Sequence, residues 1–185
     1  MFFFNEESRN KTFKPRSIEH AYLAILNDDL ETAQAVFESI ESPRARWGIA
    51  FVDILKGYIE HFPTYFEIRN FLEIDLDFLL KNEKFDYVGQ VLGSLETLCK
   101  TNQEVYKYVA RVMYENKLYK SAREYMEKSQ EVFYNDPELQ FMFAKYYLND
   151  RNYSDAKSHI EECLNILPEY FPAIELKKQI SKYLA

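Results

Sequence analysis

The same short pattern occurs twice along the chain, with a fixed interval between the copies. Tyr119 and Ala122 belong to the first copy, and Tyr153 and Ala156 hold the same places in the second. A weaker copy around Phe85 precedes the first by the same interval. Internal similarity at this period, about 34 residues, is typical of helical hairpins that stack on one another. Because such stacks present extended surfaces to partners, the sequence favours a binding role over a catalytic cleft.

The composition of the 185-residue chain sets further limits. Its 47% hydrophobic and 29% charged residues are typical of a folded protein, and only 4 Gly and 6 Pro disfavour an all-β fold. A net charge of −7 argues against nucleic acid as a partner, and no apolar run is long enough for membrane insertion. Cys99 and Cys163 form no disulfide framework, which suits a reducing compartment. We therefore expect a cytoplasmic protein.

Apolar residues recur at helical spacing from Ser17 onward, and no segment shows sustained strand alternation. The pattern predicts an all-α fold of about ten helices, with the third extending to about Ile59. Four helix starts are marked either by a capping residue before a proline or by a capping Thr three residues before a Glu. These pairs are Ser42 and Pro43, Asp136 and Pro137, Thr64 and Glu67, and Thr101 and Glu104.

The last hairpin resembles a tetratricopeptide repeat. In residues 137–170, Phe143 and Ala144 form the large and small pair of the first helix, Ala156 is the small residue of the second, and Pro168 follows. A glutamine stands at the site where the family carries a tryptophan-type residue. The resemblance implies a right-handed α-solenoid of antiparallel helix pairs. Its concave surface would be lined by the first helix of each pair.

The resemblance weakens toward the N-terminus. Asp75 lies where an apolar residue is expected. Further upstream the register fails, because the interval from Ala33 to Val88 is longer than one repeat and shorter than two. We therefore predict an N-terminal tail, a hairpin with one extra helix, three tetratricopeptide-like repeats and a capping helix. Their ranges are 1–16, 17–68, 69–102, 103–136, 137–170 and 171–185.

The implied concave surface gives a candidate partner-binding groove. Its members lie outside the packing seams of the predicted sixth and eighth helices. They are Lys107, Tyr108, Arg111, Tyr114, Phe141, Met142, Lys145 and Leu148. The apolar members favour contact with a partner, although packing between neighbouring hairpins would also account for them. Lys107 and Arg111, one turn apart, would either hold a carboxylate, as the clamp of chaperone-binding family members does, or pair with nearby glutamates.

These features favour a non-catalytic interaction scaffold or adaptor that binds a peptide or helix of another protein. A small secretion or assembly chaperone of the same type is an alternative, and self-association into a homo-oligomer is another. An enzyme or enzyme regulator on a helical scaffold is the alternative from a different class. We predict no catalytic residue, metal or cofactor, because His20, His61 and His159 are scattered and no nucleophile or phosphate-binding motif occurs.

Overall fold

The computed structural model describes residues 17–184, so the predicted tail, residues 1–16, lies outside the described residues. Within this range the predicted all-α class is confirmed, with eleven helices and no strand. The helices are α1 (Ile18–Leu26), α2 (Leu30–Glu38), α3 (Pro43–Lys56), α4 (Tyr65–Lys81), α5 (Phe85–Gly93), α6 (Leu95–Cys99), α7 (Val105–Glu115), α8 (Tyr119–Val132), α9 (Pro137–Asn149), α10 (Tyr153–Ile166) and α11 (Phe171–Leu184). None of these helices combines the length and the apolar character that crossing a bilayer requires.

Neighbouring helices in sequence are also neighbours in space. The pairs α1 with α2, α4 with α5, α7 with α8 and α9 with α10 pack together, and α11 packs on α10. Helices α4, α7, α9 and α11 also contact one another in that order, whereas α3 fills the space between α2 and the α4–α5 pair. Since short connections join antiparallel helices, each of the four pairs is a helical hairpin.

All four hairpins reverse direction through the same three-residue turn. The middle residue of each turn has a positive φ of 58° to 64°, and these residues are Asp28, Glu83, Lys117 and Arg151. The backbone N–H of the following residue donates to the carbonyl five residues earlier, at 2.9 Å in every turn. This bond is the longer of the two that close a Schellman motif, and it satisfies a carbonyl that the helix end leaves free. The turn therefore recurs as a defined backbone structure.

The fourth residue of the second helix is buried in every hairpin. These residues are Ala33, Val88, Ala122 and Ala156. Three of the four are alanines with no exposed surface, which lets the paired helices approach closely. The buried core of the described residues has three clusters: one extends from α1 to α8, one around Met126, Leu139 and Phe143 joins α7, α8 and α9, and one joins α9, α10 and α11.

Three of the four predicted helix starts are confirmed. Ser42 Oγ and Asp136 Oδ1 accept hydrogen bonds from backbone N–H groups of the first turns of α3 and α9, and Thr64 and Glu67 form the capping box of α4. The prediction at Thr101 and Glu104 is wrong. Helix α7 begins at Val105 without a side-chain cap, and the Glu104 N–H that Thr101 was expected to bond donates to Asn102 Oδ1 at 2.9 Å.

The predicted end of the third helix is also wrong, because α3 stops at Lys56 and leaves Ile59 outside. Gly57 adopts φ 87°, a left-handed conformation that glycine reaches without a steric penalty. The Asp53 carboxylate then accepts the backbone N–H groups of Glu60 and His61 at 3.1 and 2.8 Å, which holds the following loop against the helix.

The count of about ten helices misses α6, because the predicted fifth helix is broken after Gly93. Ser94 donates its hydroxyl to the Val91 carbonyl at 2.7 Å, so its side chain competes with the helical backbone pattern. Glycine at the preceding position adds conformational freedom that disfavours continuation. The chain then resumes as the short helix α6.

Asp75, which breaks the apolar pattern of the sequence, is the centre of a buried polar network. Its carboxylate is fully buried and accepts hydrogen bonds from Tyr22 Oη at 3.0 Å, from Arg44 Nη2 at 2.6 Å and from the Trp47 indole N–H. Burial raises the pKa of Asp75, and the Arg44 charge opposes that rise. The Arg44 guanidinium also lies over the Phe71 ring at 4.7 Å. The network therefore joins α1 and α3 to α4.

We predict that Lys117→Gly stabilises the protein by about 0.5–1 kcal/mol. Glycine removes the steric cost of the left-handed conformation at this position, and its larger loss of backbone entropy on folding offsets only part of that gain. Urea unfolding followed by circular dichroism measures the change. Lys157→Gly is the matched control, since Lys157 is exposed inside α10 and the same change there should cost about 1 kcal/mol. A loss of stability in both variants would contradict the role assigned to the turn.

We predict that Asp75→Ala lowers the free energy of unfolding by about 3–5 kcal/mol, because it leaves the Arg44 charge without its buried partner. Asp77→Ala on the same helix is the control. Asp77 pairs with the exposed Lys81 and accepts a hydrogen bond from Asn116 Nδ2 at 2.9 Å, so its loss should cost about 1–2 kcal/mol. Equal losses in the two variants would mean that the buried network does not hold α1 and α3 against α4.

Candidate protein-binding groove

Two adjoining depressions, of about 460 and 590 Å³, lie along α11 where it faces α9. Lys145, Leu176 and Gln179 line both of them, so they form one furrow, which we call the α9–α11 groove. The first depression is otherwise lined by Tyr114, Leu148, Asn149, Arg151, Tyr153 and Tyr183. The second is otherwise lined by Phe141, Pro172, Glu175, Lys178 and Lys182.

Four of the eight predicted site residues line this groove: Tyr114, Phe141, Lys145 and Leu148. The Tyr114 hydroxyl donates to the backbone carbonyl of Lys145 at 3.2 Å, which ties α7 to α9. The Lys145 ammonium lies 4.8 Å from the centre of the Tyr114 ring and 5.9 Å from that of Phe141. Phe141 also meets the edge of the Tyr170 ring, with centroids 5.3 Å apart. Aromatic contacts therefore hold the Phe141 ring in the groove wall and orient the Lys145 ammonium beside it.

The structure places the other four predicted residues in the helix packing. Lys107, Tyr108 and Met142 are buried, so the exposure that a groove contact needs is absent there. Met142 joins the cluster between α7, α8 and α9. The Tyr108 hydroxyl donates to Glu104 at 2.9 Å, and burial raises the pKa of Tyr108 to about 12. The first helix of each hairpin thus contributes more side chains to packing than the sequence suggests.

Lys107 is a structural ion-pair centre. Its side chain is only 6% exposed, and its ammonium lies 2.8 Å from Glu104, 2.7 Å from Asp136 and 3.4 Å from Glu138. Burial alone would lower the pKa of Lys107, but hydrogen bonds to Asp136 and Glu104 raise it above its usual value. Because Asp136 also caps α9, the lysine joins α7 to the start of the next hairpin.

Arg111 bridges three helices in the same way. Its two terminal nitrogens lie 2.5 Å from Glu73 on α4 and 2.5 Å from Glu138 on α9. Burial raises the pKa of Glu73, and the Arg111 charge opposes the rise. The carboxylate clamp considered for Lys107 and Arg111 is therefore occupied by the protein's own acidic side chains.

The sequence did not single out the part of the groove that α11 supplies. Leu176 and Tyr183, two helical turns apart, lie on one face of this helix and line the groove with Gln179 and Lys182. The spacing of Leu176 and Tyr183 could have indicated a second apolar face on α11. A helix that only caps its neighbour needs a single apolar face. The prediction gave this helix a capping role alone.

The histidines of the described region have structural partners. The His159 ring stacks on Tyr147 and Phe143 at 5.3 and 5.0 Å, and its Nδ1 lies 2.7 Å from Gln140 Oε1. Burial lowers the pKa of His159, which favours a neutral ring. His61 bonds the Asp53 carboxylate. Residues 17–184 contain no cluster of three or more His, Cys, Asp or Glu side chains placed to hold a metal ion.

No family model matches the chain, and comparison with curated proteins and with solved structures finds no significant match.

We predict that Lys107→Ala and Lys145→Ala separate packing from surface. Lys107→Ala should lower the free energy of unfolding by about 2–3 kcal/mol, because it leaves the partly buried carboxylates of Glu104 and Asp136 without their cation. Lys145→Ala removes only cation–π contacts and should cost about 0.5–1 kcal/mol. Chemical unfolding of the two variants beside the wild type measures both values. A greater cost at Lys145 than at Lys107 would reverse the two assignments.

Proposed function

We propose that the protein is a non-catalytic interaction module, which binds a peptide or helical segment of another protein in the α9–α11 groove. The observation that carries the proposal is the groove itself. It is open to solvent, it is walled by aromatic and aliphatic side chains, and it carries several polar groups. Protein-binding sites combine these features, because apolar anchors provide most of the affinity while polar groups fix the register.

The proposal includes a solenoid of tetratricopeptide-like hairpins as the scaffold. The left-handed turn residues Glu83, Lys117 and Arg151 are evenly spaced along the chain. Their interval matches the period of that family, about 34 residues. Asp28 precedes Glu83 by more than one such interval, and α3 occupies the extra length. The contacts of α4, α7, α9 and α11 in succession support a stacked arrangement.

A cytoplasmic setting belongs to the same proposal. It rests on the free thiols of Cys99 and Cys163, because unpaired cysteines are typical of proteins that work in a reducing compartment.

Other functions have less support from the groove. A catalytic cleft usually gathers titratable groups with perturbed pKa values, whereas the acidic side chain lining this groove is Glu175, which pairs with Lys178 at 2.7 Å. The chaperone alternative is a narrower form of the proposed role, since a chaperone would use the same kind of surface. We therefore retain protein binding as the proposed activity.

The test is capture of partners from native extract by the full chain, with quantitative mass spectrometry. The groove variant carries Phe141→Ala and Leu176→Ala. The matched control carries Phe85→Ala and Leu167→Ala, which are 63% and 43% exposed and lie outside the groove. Loss of apolar anchors typically weakens binding by on the order of tenfold or more. We expect the groove variant to lose proteins that the wild type and the control retain.

Circular dichroism must show the same helicity in all three proteins. If the groove variant captures the same proteins as the control in equal amounts, the groove is not the binding site. If the wild type captures nothing above the level of an unrelated helical protein, the proposed function itself is wrong.

A further inference from the structure

We infer that the segment bound in the α9–α11 groove is acidic, with an Asp or Glu between two bulky apolar residues. The inference rests on the proposed function and specifies the partner's chemistry. Its basis is the charge of the groove. Four cations, Lys145, Arg151, Lys178 and Lys182, line it together with a single carboxylate, Glu175. This local excess of positive charge occurs in a chain whose net charge is −7.

Three of these cations have no acidic partner within the described region. Lys178 pairs with Glu175, but no carboxylate of residues 17–184 lies within 4 Å of the charged group of Lys145, Arg151 or Lys182. By contrast, the charges of Lys107 and Arg111 on α7 are paired with carboxylates. The groove therefore gathers three cations without a carboxylate partner among the described residues, together with aromatic and aliphatic walls.

Lys145 is the most informative of the three, because it lines both depressions. Its ammonium rests against the rings of Tyr114 and Phe141. Contact with ring faces orients a lysine without satisfying its three N–H donors. A carboxylate from a partner would supply the acceptor in a partly desolvated site, where a charged hydrogen bond is stronger than in open water.

The two depressions determine where the apolar residues of the bound segment would lie. One contains Leu148, Tyr153 and Tyr183, and the other contains Phe141 and Pro172. With Lys145 and Gln179 between them, a bound segment would place one large apolar side chain on each side of its acidic residue. Because large apolar and aromatic anchors dominate most protein interfaces, this arrangement would provide affinity as well as charge selection.

Ordinary surface lysines offer the contrasting case. Lys157 is exposed on α10 and does not line the groove. A solvated lysine of this kind gives little selectivity, because water and salt screen its charge. Lys157 therefore provides a control for changes at Lys145.

The experiment selects binders from a displayed library of random dodecapeptides on the full chain. We expect sequences with Asp or Glu between large apolar residues. Titration calorimetry on a selected peptide should show that Lys145→Glu weakens binding on the order of tenfold, whereas Lys157→Glu changes it by less than about twofold. Replacing the central acidic residue of the peptide by Lys should weaken wild-type binding and restore part of the binding to Lys145→Glu.

The outcomes separate the two proposals. Selected peptides that are basic or uncharged, and that still lose binding in the Phe141→Ala and Leu176→Ala variant, would overturn the acidic-partner inference and leave the proposed function standing. Peptides that bind equally to the wild type and both groove variants would overturn both. A random-sequence single-stranded RNA that binds the wild type more tightly than any selected peptide, and depends on Lys145, would also overturn the inference.

Discussion

The close antiparallel packing of two helices across a three-residue turn is the constraint on which the rest of this structure depends. So short a connection reverses the chain only if its middle residue adopts a left-handed conformation, which an L-amino acid reaches at an energetic cost. In each of the four turns this cost is offset by a backbone hydrogen bond of 2.9 Å, which satisfies a carbonyl at the helix end. In the following helix the fourth residue faces the partner helix, so it must be small or compact. The periodicity of the sequence is a consequence of this local geometry.

Hairpins built this way still have to be held in register against one another, and charged side chains contribute to that here. Asp75 receives donors from α1 and α3, while Lys107 and Arg111 reach carboxylates on neighbouring helices. Burying such groups adds little net stability compared with apolar contacts, but an incorrect register would leave a charge unpaired. Polar groups between helices therefore disfavour alternative alignments more than they strengthen the correct one.

Sequence reasoning succeeded where the determinant was local. The starts of α3, α4 and α9 depend on a capping residue and its nearest neighbours, and these were predicted from spacing alone. It failed where a distant or competing partner decides. Asp75 looked like a departure from the pattern because its donors are 28 to 53 residues away. Thr101 matched a cap, yet Asn102 satisfied the same backbone group.

The candidate site shows the same division. Helical periodicity indicated the face of α7 and α9 that includes Tyr114, Phe141, Lys145 and Leu148, and these four residues line the α9–α11 groove. The alternative of pairing with nearby glutamates holds for Lys107 and Glu104. Periodicity could not indicate that Asp136 pairs with Lys107 and Glu73 with Arg111, because these partners belong to other hairpins. The contribution of α11 was missed for a related reason. A groove between two helices requires knowing which helices are neighbours, and one sequence supplies only the order of its elements.

In the proposed function, cations on the packed helices stabilise the fold while cations of the groove bind a partner, and the pairing of charges separates the two roles. A cation between two stacked helices is held by carboxylates on both sides, as Arg111 is by Glu73 and Glu138. Between α9 and α11 the lining of the groove contains one carboxylate, Glu175, and it pairs with Lys178. Lys145 therefore keeps the orientation that packing gives it without the ion pair that packing gives Arg111. On this argument, the α9–α11 groove offers an oriented cation that has no carboxylate partner among residues 17–184, and this is the feature that the proposed function uses.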